Sequence, residues 1–363
     1  MNNYTDNTKT LIWLNSFDLI TPGKRNRLLG LVEEPAKLFR DISKLKNEII
    51  EVTDSDTYDR LANSNDKSYM DMLLSEIERY RITPIGINDD KYPNLLKEID
   101  TPPILLYCRG NTDLLNARLM GVVGTRLPSR YGKDVTEKFV TELIKYGFKI
   151  ISGLARGVDS IAHSTALSLN SPQIAVLGCG LDMVYPAENK ELLTNIVKDG
   201  LVISEYRVGE KPLSFHFPER NRIISGLSDG VLVTEAGENS GSLITINCAV
   251  EQNRRVYIVP GNIFSKQSMG ANERLKQLQG AMVTEINDIL KDYNIDVDAE
   301  EEKQPVQLDI NENIILNALN KQEMHIEELL NLTGLPVNTL NSILTRMELN
   351  GLVKKLYGNN YGV

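Results

Sequence analysis

Two arginines and an asparagine fall together at Arg220-Asn221-Arg222, inside the stretch FPERNRIISGLS (217–228) and just ahead of an apolar run, GVLVTEA, that begins at Gly230. Arginine presents a planar fork of donors matched to phosphate oxygens, and asparagine adds a donor or acceptor beside it. Alone, the segment also reads as a helix start held by local ion pairs, with Glu219 as the partner, because charged surface pairs are common and weak. Other stretches carry similar equipment. GVVGTR (121–126) precedes a helix that starts near Ser129, and SGLARGVD (152–159) leads into Ser160 and His163. GCGLD (178–182), TEAGENSGS (234–242) and VPGN (259–262) follow the same design. Glycine lets a backbone approach a ligand closely, and the free N–H groups at a helix N-terminus favour an anion. Folds of the α/β type need glycine at their turns in any case. That need does not explain why Arg126, Arg156, Arg220 and Arg222 gather at strand ends.

These residues point to binding of phosphate groups and away from catalysis. The chain has no Walker sequence and no full dinucleotide fingerprint. It also has no serine nucleophile elbow, no metal-ligand cluster and no adjacent carboxylate pair with a clear acid and base. Asp182, Glu205 and Glu235 stand at strand ends where a catalytic acid could sit, and serve equally as helix caps or as partners of the arginines. Asp159 is a candidate N-cap, with His163 one turn later satisfied by a neighbouring backbone group. No catalytic residue, metal or cofactor is therefore expected.

The elements that position these turns are legible as short apolar runs alternating with amphipathic segments. ITPIGI, ILLYCRG, LMGVVG, KIISG, QIAVLGC, LVISEY, GVLVTEA, RVYIVPG and AMVTE are candidate strands, with helical patterns between most of them. Strands rich in Val, Ile and Leu that alternate with helices imply parallel βαβ units covered on both faces. The expected fold class is α/β: a Rossmann-like, doubly wound, mostly parallel sheet over 81–290, with ligands beyond the carboxyl ends of its strands. Residues 1–80 read as an N-terminal helical, SAM-like domain, with Thr21-Pro22-Gly23 as a break. KDYNIDVDAEEEKQPVQL reads as an acidic linker, placed at 291–307. Residues 308–363 hold three helical patterns and a hairpin signal at Gly358-Asn359-Asn360, which suggests a winged helix. Its third helix offers Asn338, Asn341 and Arg346, and Lys354 and Lys355 precede the wing. The module is slightly acidic, so protein contact is as open to it as duplex reading.

Composition narrows the classes further. The 363 residues suffice for two or three domains, and 41% are hydrophobic, as in a globular protein. A formal net charge of -9 argues against coating nucleic acid through overall charge, while leaving room for a local basic cleft. Cys108, Cys179 and Cys248 are dispersed in apolar sequence and read as buried reduced thiols. The histidines are equally scattered, which disfavours zinc. No apolar run reaches about 18 residues, and MNNYTDNTKT lacks a signal pattern. A cytoplasmic protein with no membrane partner is expected.

The motifs GTR (124–126), SGLARGVDSIAH (152–163), GCGLDMVYPAEN (178–189), FPERNRIISGLS (217–228), SGSLIT (240–245) and VPGN (259–262), led in by DDKYPNLLKEIDTPPILLYCRGN, stand in an order and spacing that resembles the DNA-processing protein A family, DprA or Smf. The resemblance covers about residues 81–285. It implies a Rossmann-like central domain, often with an N-terminal helical domain and a C-terminal winged helix. It also implies a non-enzymatic homodimer that binds single-stranded DNA, protects it during natural transformation and loads RecA recombinase onto it. By motif, Arg126 with Gly124 and Thr125, and the turns of Ser152, Gly153, Arg156 and Gly157 and of Ser240, Gly241 and Ser242, would hold phosphates. Arg220, Asn221 and Arg222 would complete the pocket, with Lys133 nearby. Base stacking on Tyr131, Phe215 or Phe217 would add about 1–3 kcal/mol per base if one of them faced the groove.

Two other functions fit parts of the sequence. A nucleotide phosphoribohydrolase-like enzyme is suggested by the Thr234-Glu235 strand end, although EAGENSGSLIT lacks the Pro-Gly-Gly that such enzymes carry. A regulator in which a bound nucleotide controls the winged helix is the second.

Overall fold

The computed structural model describes residues 4–296, 308–349 and 351–362. It has two compact units, one ending at Ile295 and the other comprising the remainder.

The first unit opens with short helices: α1 (Asp6–Asn15), α2 (Pro22–Leu29), α3 (Pro35–Arg40), α4 (Lys46–Val52), α5 (Ser55–Asn63) and α6 (Lys67–Arg79). The break at Thr21-Pro22-Gly23 starts α2. Thr21 Oγ1 accepts the Lys24 N–H at 3.4 Å, and Pro22 occupies the first helical position, where its missing N–H costs nothing. The apolar faces of these helices do not close on themselves. Trp13, Leu14, Leu38, Ile49 and Leu73 share one core with Tyr107, Ala175, Leu177 and Val202 of the sheet. Asn15 Nδ2 donates to Glu205 O at 2.8 Å across that contact.

The nine candidate strands form one sheet: β1 (Thr83–Gly86), β2 (Leu105–Gly110), β3 (Leu119–Val123), β4 (Lys149–Ser152), β5 (Ile174–Leu177), β6 (Leu201–Ser204), β7 (Gly230–Val233), β8 (Arg255–Ile258) and β9 (Ala281–Met282). Their order is β1-β2-β6-β5-β4-β3-β7-β8-β9. From β6 to β9 every pairing is parallel, whereas β1–β2 and β2–β6 are antiparallel. A parallel return needs a crossover of about a dozen residues or more, usually through a helix that packs on the sheet. Between β1 and β2 there is only the four-residue α7 (Asn94–Lys97), and the chain turns back antiparallel.

The remaining helices cover both faces: α8 (Arg130–Lys145), α9 (Val158–Ser168), α10 (Lys190–Asp199), α11 (His216–Leu227), α12 (Ser242–Glu251), α13 (Met269–Lys276) and α14 (Ile286–Leu290). Strand side chains alternate between faces. Met120, Val122 and Leu232 pack with Phe139 and Val140 of α8 and Ala162 of α9. Val123, Val231 and Val233 pack with Ile223 and Leu227 of α11 and Ile246 of α12. The unit extends past 290, because Tyr293 sets its ring edge-on to Phe148 at 5.1 Å and lies under the Arg255 guanidinium. Of the expected acidic linker, residues 297–307 lie outside the described residues.

The second unit contains α15 (Ile310–Leu319), α16 (Ile326–Thr333) and α17 (Val337–Leu349), with β10 (Met324–His325), β11 (Lys354–Lys355) and β12 (Asn360–Gly362) in the order β10-β12-β11. Ile315, Leu329, Leu340, Leu344, Met347 and Val353 make its core. The turn from β11 to β12 uses Gly358 and Asn359 at φ 72° and 59°, the left-handed region that glycine and asparagine tolerate. Three helices with this hairpin form a winged helix.

Candidate nucleic-acid interface

From β3 the chain winds to one side through β4, β5 and β6, then crosses back to β7, β8 and β9. Where strand order reverses, the connections leave in opposite directions and open a crevice at the carboxyl ends of the strands. A cleft of about 930 Å³ lies there. Its walls are Gly124–Leu127 after β3, Ala155 and Asp159 after β4, Arg220 and Asn221 on α11, Gly237–Ser242 after β7, and Lys266 and Gln267 after β8.

The turns interlock through glycine. A Cβ on Gly124 would lie 2.6 Å from Val158 Cγ2 and 2.8 Å from Glu235 O, and one on Gly157, at φ 75°, would lie 2.3 Å from Thr125 O. Thr125 N–H donates to Glu235 O at 2.7 Å, and Val158 N–H donates to Thr125 O at 3.2 Å. The backbone at Arg126 is thus fixed. Its side chain is exposed and has no hydrogen bond or ion pair among the described residues. Glu235, a candidate acid or arginine partner by sequence, is buried and accepts from Ser129 N and Oγ at 2.7 Å each, fixing the start of α8.

Arg220 is buried beneath the cleft floor. It donates to Gly153 O at 2.7 Å and to Val176 O, and Asp159 is its countercharge. Burial lowers the affinity of the guanidinium for its proton and raises that of the Asp159 carboxyl, while each offsets part of the shift in the other. Asp159 is not the N-cap of α9. That position belongs to Gly157, and Asp159 instead accepts the N–H groups of Gly153 at 3.1 Å and Ala155 at 3.4 Å. Gly153 has no room for a side chain, since a Cβ would meet Arg220 Nη2 at 2.4 Å. Asn221 Nδ2 donates to Gly241 O at 3.3 Å, and the Ser240 and Ser242 hydroxyls lie 2.8 Å apart. The N–H groups of Arg126, Glu238, Asn239 and Gly241 meet no protein acceptor among the described residues.

Of the residues singled out by sequence, Gly124, Thr125, Arg126, Arg220, Asn221, Ser240, Gly241 and Ser242 line this cleft. Ser152 is buried below it and donates its Oγ to Val122 O at 2.7 Å. Arg156 lies in an adjoining small pocket and pairs with Glu188. Lys133 is exposed on α8 and does not line the cleft.

Arg222 is turned away. It donates to Thr101 O and to Glu205 Oε2, both at 2.5 Å. Residues two apart on a helix point to opposite sides, so Arg220 and Arg222 cannot share a pocket. Glu219 pairs with neither arginine and accepts from the Tyr206 hydroxyl at 3.1 Å. His163 Nδ1 lies 2.6 Å from Gln173 Oε1, and burial pushes the imidazole pKa down to about 4. None of Tyr131, Phe215 and Phe217 lines the cleft: the Tyr131 hydroxyl donates to Pro260 O, and Phe217 packs on Tyr185. The residue that sequence missed is Lys266, exposed in the cleft wall and unpaired among the described residues. Its only signal is its position shortly after the VPGN turn. Among the described residues there is no group of three or more His, Cys, Asp or Glu placed to hold a metal, and no helix long and apolar enough to cross a membrane.

A Rossmann-type sheet with an open cleft at its strand ends, together with a winged helix, defines a class of DNA-processing proteins. The chain belongs to the DNA recombination-mediator protein A family, whose model matches residues 83–294, and the DprA winged helix domain matches residues 299–359. DNA processing protein DprA of Streptococcus pneumoniae is 45% identical over 222 residues, 61% of this chain and 77% of the relative. Protein Smf of Escherichia coli is 42% identical over 209 residues, 57% of this chain and 55% of the relative. The solved structure of the S. pneumoniae protein superposes with a TM-score of 0.68 at 34% identity, covering 81% of this chain and 99% of that one. DNA processing protein A from Helicobacter pylori, whose structure is described for its single-stranded DNA binding mode, gives a TM-score of 0.53 at 32% identity over 59% of this chain and 98% of that one.

Proposed function

We propose that this protein binds single-stranded DNA in the strand-end cleft, protects it, and loads RecA recombinase onto it as a cytoplasmic homodimer serving DNA uptake and recombination. The observation that carries the DNA-binding reading is Arg126, an unpaired cation on a fixed backbone among open N–H donors. A phosphate placed there would receive a charge-assisted bond together with backbone donation. Such a site holds a strand without reading bases, and the single-strand binding described for the H. pylori relative supports it. With a net charge of -9 on the whole chain, the cleft must supply the attraction. Of the strand-end carboxylates, Glu238 is exposed in the cleft wall without a partner among the described residues, whereas the buried ones are engaged by protein: Glu235 by Ser129, Asp159 by backbone N–H groups and Glu205 by Arg222. That supports a binding role over a hydrolytic one.

The test is affinity for a labelled oligonucleotide, single-stranded against duplex, across a salt series. Single strands should bind more tightly, with a slope of about -0.7 in log affinity against log salt for each phosphate neutralised. Arg126→Ala should weaken binding by about ten-fold or more. Equal binding of duplex, or an Arg126→Ala variant that binds like wild type, would overturn the cleft assignment. Release of free base from a nucleoside monophosphate would favour the hydrolase, and preference for a specific duplex the regulator. RecA loading is measured separately, as RecA assembly on strands already coated by single-strand binding protein.

A further inference from the structure

The loop between β8 and α13 presents its two largest apolar side chains to solvent: Ile263 is 74% and Phe264 is 88% exposed. The loop is not slack. Its stem is clasped by Asn272, whose Oδ1 accepts the Gly261 N–H and whose Nδ2 donates to Gly261 O, both at 3.0 Å. The Tyr131 hydroxyl donates to Pro260 O at 2.7 Å from the first turn of α8. At the tip, Asn262 Oδ1 accepts the Phe264 N–H at 2.9 Å and Asn262 O accepts the Ser265 N–H at 3.0 Å, an asparagine-initiated turn that fixes where Phe264 stands. Beyond the tip the chain packs beside the segment after β7 in the same wall, where a Cβ on Gly237 would lie 3.0 Å from Lys266 O.

Two residues after Phe264 comes Lys266, an unpaired cation in the cleft wall, followed by Gln267 in the same wall. A protein gains nothing in its own fold by holding a phenyl ring in water on a hydrogen-bonded turn. Cations that follow a phosphate chain, with an aromatic face beside them for a base, are the parts from which single-strand platforms are made. Phe264 stands just outside the cleft, two residues from its wall at Lys266, and none of the three aromatics that sequence offered for this role lines the cleft.

Resting on the cleft's assignment to single-stranded DNA, we propose that Phe264 is a base-stacking residue for the same strand, with Lys266 holding the phosphate between that base and the cleft. The ligand class is an unpaired nucleotide of any base, because every base has a face to offer. A duplex, whose bases are stacked on one another, has none.

The test uses the full chain with Phe264→Ala, Phe264→Trp and Lys266→Ala. The only native tryptophan, Trp13, is fully buried and provides a steady background, so a tryptophan at 264 reports its own surroundings. Its emission should be quenched when an oligothymidylate binds and should be quenched much less by an abasic strand of equal length. Phe264→Ala should weaken single-strand binding by roughly five- to hundred-fold without changing the salt slope. Lys266→Ala should make that slope shallower by about 0.7. If wild type binds with Arg126-dependent affinity while Phe264→Ala matches it and the Phe264→Trp emission is unmoved, the stacking role is overturned and the cleft stands. If wild type does not bind single strands, both fall together.

Discussion

Arg126 and Arg222 belong to the same residue type and do opposite work. Arg126 has its guanidinium free over the cleft, whereas Arg222 is nearly buried against Glu205, with side-chain exposures of 12% and 2%. Removing one member of such a pair leaves the other charge uncompensated, at a cost of about 3–5 kcal/mol. Arg222→Ala should therefore lower the urea midpoint sharply while the folded fraction keeps its affinity for single strands. Arg126→Ala should do the reverse, with stability unchanged within about 0.5 kcal/mol. A sequence shows that arginines are present but not which side of α11 each occupies.

His163 gives the pH dependence. Burial holds its imidazole neutral in the fold, with a pKa pushed down to about 4, whereas an unfolded chain takes up that proton near the ordinary value of 6.5. Between those values the unfolded state binds more protons. The stability that His163 contributes is therefore present above pH 6.5 and is lost as pH falls toward 4, by up to about 3 kcal/mol. Thermal melts of wild type should decline through that window, and those of His163→Gln should decline less steeply.

At the scale of elements, apolar runs and helical spacing identified every strand of the main sheet and the helices α8 to α13 between them, but not α14. What they could not express is direction. β2 reads like the parallel strands beside it, yet it runs antiparallel to both of its neighbours, β1 and β6, and nothing in its own residues marks the reversal. The start of α11 was likewise hidden, since the helix begins at His216, ahead of the Arg220 segment that drew attention. In the winged helix, Arg346 looked like a cation for duplex DNA. It bonds Asp309 at 2.9 Å and Glu312 at 2.8 Å, tying α17 to the start of α15. The Glu312 side chain is 6% exposed, so Arg346→Ala should destabilise this unit by about 1–3 kcal/mol. The resulting lower melting step is measurable by differential scanning calorimetry.

For the whole molecule, the site was legible in kind: glycine turns and basic residues at strand ends, in an acidic chain. The partnership of α1–α6 with the sheet was not. Amphipathic spacing says that a helix has an apolar face without saying what covers it, and here Trp13 and Leu14 meet residues near 107 and 202. Lys266 was missed for a related reason, because nothing local marks a lysine as facing a crevice built from distant segments.

The crossing of the chain from β6 back to β7 also sets an order in time. One wall of the cleft, at Gly124–Leu127, is synthesised well before the other, at Gly237–Ser242 and Lys266. The core that joins α1–α6 to β2, β5 and β6 needs nothing beyond Val208, so a nascent chain can begin to consolidate there first. A polypeptide still emerging from the ribosome thus has a half-built sheet and no crevice, and the cleft acquires its second wall only when translation is well past the midpoint.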